Sequence, residues 1–480
     1  MIKPEHSQRR IYYNNFASHL LNSYNPNMLY PELGYRWSDE DWYSMIDMIA
    51  DFGFNVFEFW LEPRLFCREA LKSEYGQAFI KQMNSVISYG LKKNVDTEML
   101  CSLATVGSEW RTYCPNVEDE WKELQYLWDM WTRALPELNI VGIFPGDPGA
   151  CSRNGCTAET YIDKSIEVSW IAKRNLPKAW IEFGTWGPPF FGWGNVEGPP
   201  DWKGEFIPEY QHTAWNFDKA RADKSMNHLL RRLQDFPDET SIAINMGFNG
   251  DSNPVGDYDA RHWAREIAKT KPILTWDYSL TEGENAIIPH YRFSRLFEQR
   301  KKEKEAAPYK GGICQSMTPL LNQLSLYVGA QSFLDPNGNA DKLAGDFYER
   351  IFGSQGRKLI EYLPLFEILP DWGNYVKIDV SRKEYHAKMK ELEEILESLR
   401  PVSNIPFHPS PEKYHQELMF FAKLFADLSD DSPDFDELHK LYWNRVYSIY
   451  DKLPTHVDPR PKFATDRLIN HFKNPATFRI

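Results

Sequence analysis

The sequence predicts an α/β protein, a (β/α)8 TIM barrel with a C-terminal helical module. Two observations predict this class. Eight strand-like segments alternate with helical patterns between residues 10 and 317, which matches a closed barrel better than an open doubly wound sheet. Beyond residue 340 the pattern is helical only. We therefore expect a barrel over residues 1–337, a helical module over 338–453 and an irregular, proline-rich tail over 454–480.

The first helix is predicted by its end signals as well as by its periodicity. Ser38 can cap its start with Asp41 three residues later, and Gly53 can end it. Its apolar residues share one helical face: Trp42, Met45, Ile46, Ile49 and Ala50. The helix leads directly into the second strand, NVFEFWLEP (55–63).

The other seven strands are apolar runs rich in β-branched and aromatic residues. In chain order they are RIYYNNF (10–16), DTEMLCSLATV (96–106), NIVGIFPGDPG (139–149), KAWIEFGTW (178–186), TSIAINMGF (240–248), PILTWDYS (272–279) and GGICQSM (311–317).

Helical patterns separate these strands, as in VEDEWKELQYLWDMWTRAL (117–135), where apolar residues recur on one side. The others are GQAFIKQMNSVISYGLKK (76–93), TAETYIDKSIEVSWIAKR (157–174), NHLLRRLQDF (227–236), ARHWAREIAK (260–269) and HYRFSRLFEQRKK (290–302). In the helical module, KEYHAKMKELEEILESL (383–399) carries an apolar stripe that is typical of a core or docking face.

Composition excludes several kinds of partner. The chain has 68 acidic and 55 basic residues and a net charge of −13, which argues against a nucleic acid or an anionic membrane. Its apolar runs are too short to span a bilayer, and MIKPEHSQRR has no apolar signal region. We expect a cytoplasmic protein as given, or an exported one if a leader was removed. Six cysteines are few for this length and favour a reducing compartment.

Aromatic residues make up 15% of the chain and include 17 Trp. Flat aromatic faces suit the partly apolar faces of sugar rings, so a carbohydrate is the expected partner. The alternative interpretation is a Trp-rich core.

In a (β/α)8 barrel the chemistry lies at the carboxyl ends of the strands. Polar and aromatic residues at or just after the predicted strand ends are therefore candidates for substrate binding: Trp60, Glu62, Trp110, Arg111, Trp186, Asn245, Trp276, Tyr278 and Gln315. Trp193 joins them from the Gly- and Pro-rich segment 184–206. We expect this segment to cover the barrel mouth, with some of its rings contacting ligand and the others holding the loop together.

Three carboxylates are candidates for catalysis. Asp147 ends the fourth strand and Asp277 the seventh, on opposite sides of the predicted mouth, and Glu182 lies on the fifth strand. Hydrolysis of a glycosidic bond needs two facing carboxyl groups, one as acid and one as base or nucleophile. Asp147 and Asp277 can supply this pair, with Glu182 as a replacement for either. Two alternatives stay open: Asp147 as the cap of a turn, and Glu182 as a buried partner of an arginine.

Several of these motifs resemble barrel glycosidases, the group that includes β-N-acetylhexosaminidases and α-glucuronidases. They are WSDEDWYSMIDMIADFGFNVFEFWLEP (37–63), FPGDPG (144–149), ILTWDYS (273–279), GGICQSM (311–317) and DKLAGDFYERIFG (341–353). The resemblance implies a catalytic barrel, a helical C-terminal region and glycoside hydrolysis with no required cofactor or metal. In the hexosaminidase branch the fourth strand ends in an acidic pair. Here Asp147 is followed by Pro148, so a second carboxylate must come from another strand.

The glucuronidase branch implies basic residues that hold a sugar carboxylate at the mouth. Arg111, Arg153 and Arg292 are available in this sequence.

Two other functions are compatible with the same barrel. A divalent-metal sugar isomerase or epimerase would use Glu182, Asp277 and a histidine as ligands, although the three nearest candidates lie outside the predicted strand ends: His212, His262 and His290. A barrel that binds sugar without catalysis is the other alternative.

The segment 141–156 lacks a phosphate-binding glycine pattern. Cys151 and Cys156 have no second cysteine pair at metal-ligand spacing, which argues against a zinc knuckle. A local disulfide between them is expected only in an exported protein.

Overall fold

The structure is a computed structural model of the 480-residue chain. It describes residues 8–13, 37–61, 65–107, 111–145, 151–185, 193, 219–244, 261–277, 288–289, 291, 293–316, 319–368, 377–402, 410–449 and 462–479.

Eight strands form a closed barrel, which confirms the predicted fold class. They are β1 (Gln8–Tyr13), β2 (Val56–Leu61), β3 (Asp96–Ser102), β4 (Ile140–Phe144), β5 (Trp180–Gly184), β6 (Thr240–Ile244), β7 (Ile273–Asp277) and β8 (Gly311–Ser316). Their order around the barrel is β1-β8-β7-β6-β5-β4-β3-β2. The successive pairs from β1 to β7 are parallel, so their carboxyl ends share one edge of the barrel.

Helices follow the strands in the alternation that the sequence predicts. They are α1 (Asp39–Phe52), α2 (Arg68–Lys72), α3 (Glu74–Lys92), α4 (Glu118–Ala134), α5 (Ala158–Asn175), α6 (Lys219–Arg232), α7 (Arg261–Ala268), α8 (Phe293–Ala306), α9 (Pro319–Leu334), α10 (Ala340–Phe352), α11 (Arg382–Ser398), α12 (Pro411–Leu428), α13 (Phe435–Ile449) and α14 (Lys462–Lys473). A two-residue antiparallel pair, Thr105–Val106 with Arg111–Thr112, follows β3.

Helix α1 forms as its end signals predict. The Ser38 side chain accepts a hydrogen bond from the Asp41 backbone, and the Asp41 carboxylate accepts one from the Ser38 backbone. Gly53 ends the helix at φ 105°, a left-handed conformation that glycine adopts without strain.

The side chains of α4 show how helices pack around the barrel. The predicted apolar face of this helix is buried, and Trp128 and Trp131 are fully covered. Trp131 makes an edge contact with Phe79 of α3, and Phe79 makes one with Phe59 of β2. The tryptophans on this face therefore belong to the core, as the alternative interpretation of the aromatic content held.

The chain divides into two compact units. One comprises Met1–Phe16, Phe54–Asp277 and Lys301–Ile313, and the other comprises Ala17–Gly53, Tyr278–Arg300 and Cys314–Ile480. The boundary at residue 337 stays a prediction. The expectation of an irregular tail from residue 454 is wrong in part, because α14 forms there and buries Leu468 and Phe472. The prolines of this segment predicted an irregular chain, so the apolar face of α14 was not recognised in the sequence.

None of the helices in the described ranges combines the length and the apolar character that a membrane crossing requires.

Candidate active site

Four charged side chains meet inside the barrel, and we call them the carboxylate layer: Arg10 of β1, Glu58 of β2, Glu98 of β3 and Glu182 of β5. All four are 0% exposed. The Arg10 guanidinium donates hydrogen bonds to both Glu98 and Glu182. Because β1, β3 and β5 are not neighbours in the barrel, these side chains reach one another only through its interior.

Glycine at position 142 makes room for this layer. A Cβ atom there would lie 2.5 Å from Glu98 Oε1 and 2.7 Å from Leu100 Cδ1. Any larger residue on this part of β4 would displace the Glu98 carboxylate, so Gly142 is required by packing rather than by backbone conformation.

Burial determines the protonation of the layer. It raises the pKa of Glu58 well above the usual range, and the charges of Glu98 and Glu182 raise it further, against the attraction of Arg10. Burial also raises the pKa of Glu98 and of Glu182, while Arg10 lowers both. Within the described part of the chain, neither Glu58 oxygen has a hydrogen-bond partner. Glu58 is therefore the member that most favours the neutral form.

Glu58→Gln is expected to flatten the decline of stability with pH. A carboxyl group whose pKa is raised in the folded state contributes stability below its unfolded pKa, about 4.3, and this contribution is lost as pH rises towards the folded value. Glutamine keeps the shape and removes the titration. Urea unfolding at a series of pH values measures the effect, with exposed Glu118→Gln as the matched control. Parallel profiles for wild type and Glu58→Gln would contradict the assignment.

Three aromatic side chains lie on the carboxyl side of the carboxylate layer, and we call them the aromatic layer: Trp60 of β2, Phe144 of β4 and Trp276 of β7. The rings of Phe144 and Trp276 are 5.5 Å apart with an interplanar angle of 32°. Strands β5 and β6 separate β4 from β7 around the barrel, so this contact also crosses the interior. Trp60 and Phe144 keep exposed fractions of 7% and 6%. Trp276 is 2% exposed. The aromatic layer thus lies buried at the carboxyl end of the barrel, and we call it the aromatic floor.

The two predicted catalytic aspartates follow this floor along the chain. Asp277 is the last residue of β7 and comes directly after Trp276. Asp147 comes three residues after Phe144, the last residue of β4. The structure describes the backbone of Asp277 but not its side chain, and Asp147 lies outside the described residues.

Glu182 lies in the carboxylate layer, beneath the aromatic floor, rather than at the mouth. Its location matches the alternative interpretation, a buried partner of an arginine. It does not fit the catalytic role inferred from strand order, because Glu182 is two residues short of the end of β5 and fully enclosed.

Trp193 is buried, and its predicted contact with ligand stays a prediction. It is 1% exposed, its indole Nε1 donates a 2.7 Å hydrogen bond to the Pro145 carbonyl, and its ring packs on Tyr161 at 5.4 Å. Trp193 therefore packs against the end of β4 and against α5.

Trp193→Phe is expected to reduce the unfolding free energy by about 1–3 kcal/mol, because the buried Pro145 carbonyl loses its donor. Equilibrium urea unfolding measures this. An unchanged unfolding free energy with a raised KM for substrate would instead assign Trp193 to ligand contact.

The remaining predicted site residues fall into two groups, those whose side chains the structure describes and those whose side chains it does not. Arg111 is exposed beside Tyr113, at 5.5 Å from its ring, and His262 is exposed on α7. The other predicted residues lie outside the described residues or have side chains outside them: Glu62, Trp110, Trp186, Asn245, Tyr278, Gln315, His212, His290 and Arg292.

Sequence reasoning missed Arg10, Glu58 and Glu98, although a signal was present. Each is a charged residue that directly precedes an apolar residue within a strand, and a charge in a covered strand is buried only with a partner. These three residues were missed because candidate site residues were expected only at the strand ends.

Two groups of side chains in the described residues could hold a metal ion. One is Glu58, Glu98 and Glu182; the other is Cys114, Cys151 and Cys156. In the first group Arg10 already occupies the position of a cation between Glu98 and Glu182. This arrangement argues against Glu182 as a metal ligand.

No family model and no curated protein matches the sequence. Solved structures do match its fold. A GH138 enzyme targeting pectin rhamnogalacturonan II has a TM-score of 0.55 at 8% identity, over 98% of this chain and 83% of that one. A second similar structure, CpGH84D, has a TM-score of 0.54 at 10% identity, over 99% of this chain and 70% of that one.

An O-GlcNAc hydrolase mutant of Thermobaculum terrenum has a TM-score of 0.50 at 12% identity, over 97% of this chain and 93% of that one. At these identities the likeness is one of fold. It confirms the distant resemblance to barrel glycoside hydrolases that the sequence motifs predicted.

Proposed function

We propose that this protein is a glycoside hydrolase that uses Asp147 and Asp277 at the carboxyl edge of the barrel. The observation that carries the proposal is the contact between Phe144 and Trp276, with ring centroids 5.5 Å apart. Each ring ends or nearly ends the strand that leads to one of the two aspartates. Asp147 and Asp277 therefore follow two strands whose aromatic side chains, Phe144 and Trp276, contact each other.

This floor suits the proposed chemistry in two ways. Aromatic faces stack on the apolar faces of a sugar ring, and they exclude water from the bond that is broken. An apolar surface next to one carboxyl group favours its neutral form, which can then protonate the leaving oxygen, while the other stays ionised as base or nucleophile.

The substrate is proposed to be a terminal or short-chain sugar unit, because a cover built from the segment 184–206 would enclose the mouth. The hydrogen bond from Trp193 to the Pro145 carbonyl supports this, since it brings one residue of the segment to the end of β4. Two of the fold neighbours act on rhamnogalacturonan II and O-GlcNAc, and these sugars are the first to test.

The test is a panel of aryl glycosides of neutral, N-acetylated and uronic sugars in both anomeric configurations, with release of the phenol measured. We expect cleavage of one sugar class and no loss of rate in EDTA. Binding of a sugar by calorimetry without cleavage of any glycoside would favour a non-catalytic sugar-binding barrel. Isomerisation of a free sugar that EDTA abolishes would favour the metal-dependent alternative.

A further inference from the structure

Three of the six cysteines converge at one point beside the barrel. Cys114 follows the two-residue strand Arg111–Thr112, and Cys151 and Cys156 lie between β4 and α5. All three are buried, with exposed fractions of 0%, 2% and 2%. Their sulfur atoms all lie within 4.8 Å of one another, and Cys114 Sγ is 3.6 Å from Cys156 Sγ.

A tight turn brings Cys151 and Cys156 to the same point. Residues Arg153–Gly155 form a single 3-10 turn, closed by a 2.9 Å hydrogen bond from the Cys156 backbone to the Arg153 carbonyl. Asn154 and Gly155 have φ angles of 51° and 72°. These two left-handed residues reverse the direction of the chain between Cys151 and Cys156. The reversal brings together two thiols that are separated by four residues in the sequence.

The turn is attached to the segment that carries Cys114. Arg153 donates to Glu120 at 2.7 Å and to the Thr112 carbonyl at 2.8 Å, and Glu120 also accepts from the Cys114 backbone. Asn116 donates to the Asn154 carbonyl at 3.0 Å. These contacts join the turn to the segment of Cys114, and Cys114 Sγ also lies 3.6 Å from the Arg153 carbonyl oxygen.

The spacing of the sulfurs fits a shared metal ion. With Zn–S bonds of about 2.3 Å, two sulfurs at tetrahedral positions are about 3.8 Å apart, close to the 3.6 Å between Cys114 and Cys156. A disulfide needs about 2.05 Å. Cys114, Cys151 and Cys156 are free thiols, so the Cys151–Cys156 disulfide that the sequence allowed is not formed in this structure.

We infer that Cys114, Cys151 and Cys156 form a zinc-binding site, with the three thiolates at three tetrahedral positions and water at the fourth. Thiolates select soft and borderline ions such as Zn²⁺. Among the residues that the structure describes, no further His, Cys, Asp or Glu joins the group. The ion would connect the loop after β4 to the segment after β3, and it is independent of the proposed glycosidase activity.

The charges around the cluster support bound thiolates. Arg153, which also pairs with Glu120, interacts electrostatically with Cys151 and Cys114 and places a positive charge beside the thiols. Asn154 Nδ2 donates to Cys114 Sγ at 3.5 Å. Hydrogen bonds from outer groups to ligand atoms are a regular feature of metal sites.

The zinc knuckle was judged unfavourable from the sequence because only Cys151 and Cys156 lie close together in the chain. The third thiol, Cys114, is 42 residues from Cys156, so no local spacing rule includes it.

The first experiment measures metal in the full-length wild-type protein, purified with reducing agent, loaded with zinc and dialysed. We expect about one zinc per chain, released when a mercurial reagent titrates the thiols. Cobalt in place of zinc should give the sulfur-to-cobalt charge-transfer absorption of a tetrahedral thiolate site. A dialysed protein with six reactive thiols and no retained zinc overturns the inference.

The second experiment compares cysteine variants. Cys114→Ser, Cys151→Ser and Cys156→Ser should each lose the zinc, while Cys67→Ser, which is half-buried at the start of α2, should retain it. Retention of zinc by all three cluster variants would overturn the site. So would four reactive thiols in the denatured, unreduced protein, which would indicate a disulfide. If the variants do not fold, the cobalt absorption of the wild type decides.

Discussion

Asp147→Asn and Asp277→Asn are each expected to lower kcat/KM by about 10²- to 10⁴-fold, the usual contribution of a positioned acid or base. Asparagine keeps the size of the side chain and removes its ability to donate or accept a proton. Initial rates on the aryl glycoside identified by the panel measure the loss, and unfolding midpoints within 2 °C of wild type, as a rough threshold, show that the fold is intact.

The leaving group separates the two roles. An aryl glycoside with a highly acidic phenol needs little protonation, so the variant of the acid should recover much of its rate on that substrate, whereas the variant of the nucleophile or base should not. Asp238→Asn is the matched control, because Asp238 is exposed just before β6, at the amino end of the barrel. Near-wild-type rates in both active-site variants would refute the assignment of Asp147 and Asp277.

Arg10→Met is expected to destabilise the protein by about 3–5 kcal/mol at neutral pH, the usual cost of removing one partner of a buried ion pair. Arg10 is the cation of the carboxylate layer, and its removal leaves Glu98 and Glu182 buried without a counter-charge. Because protonation can neutralise these two carboxylates, the loss should shrink as pH is lowered. Equilibrium urea unfolding at several pH values measures both effects.

Two further variants test the reason for this loss. Arg10→Met combined with Glu98→Gln and Glu182→Gln should recover most of the stability, because no uncompensated charge remains in the interior. Arg133→Met removes an arginine from an exposed pair with Asp129 and should change stability by no more than about 0.5 kcal/mol. A loss that persists in the triple variant would mean that Arg10 acts through packing rather than charge.

Local chemistry was sufficient to predict most elements of the barrel. Ser38, Asp41 and Gly53 mark the ends of α1 because caps act within four residues of the chain. The apolar runs of β4 and β5 are strands because both faces of a parallel barrel strand are covered. The same rules failed at α14, where prolines in the preceding residues suggested an irregular tail.

The candidate site was predictable only in part. The order of the strands identifies Trp60 and Trp276 as residues of the carboxyl ends, since every strand of a (β/α)8 barrel runs in one direction. It does not indicate how deep a side chain lies. Glu182 and Trp193 were therefore assigned to the mouth, although one lies in the carboxylate layer and the other is buried against Pro145.

The sequence by itself determined the alternation of strands and helices, the closed-barrel class and the edge at which chemistry is expected, because these depend on periodicity, caps and turns over short stretches of chain. Only the tertiary structure decided which distant residues meet. Arg10 pairs with Glu98 and Glu182 across 88 and 172 residues, and Cys114 approaches Cys156 across 42. Closure of the barrel and the turn at Arg153–Gly155 bring these groups together, and no local pattern encodes such separations.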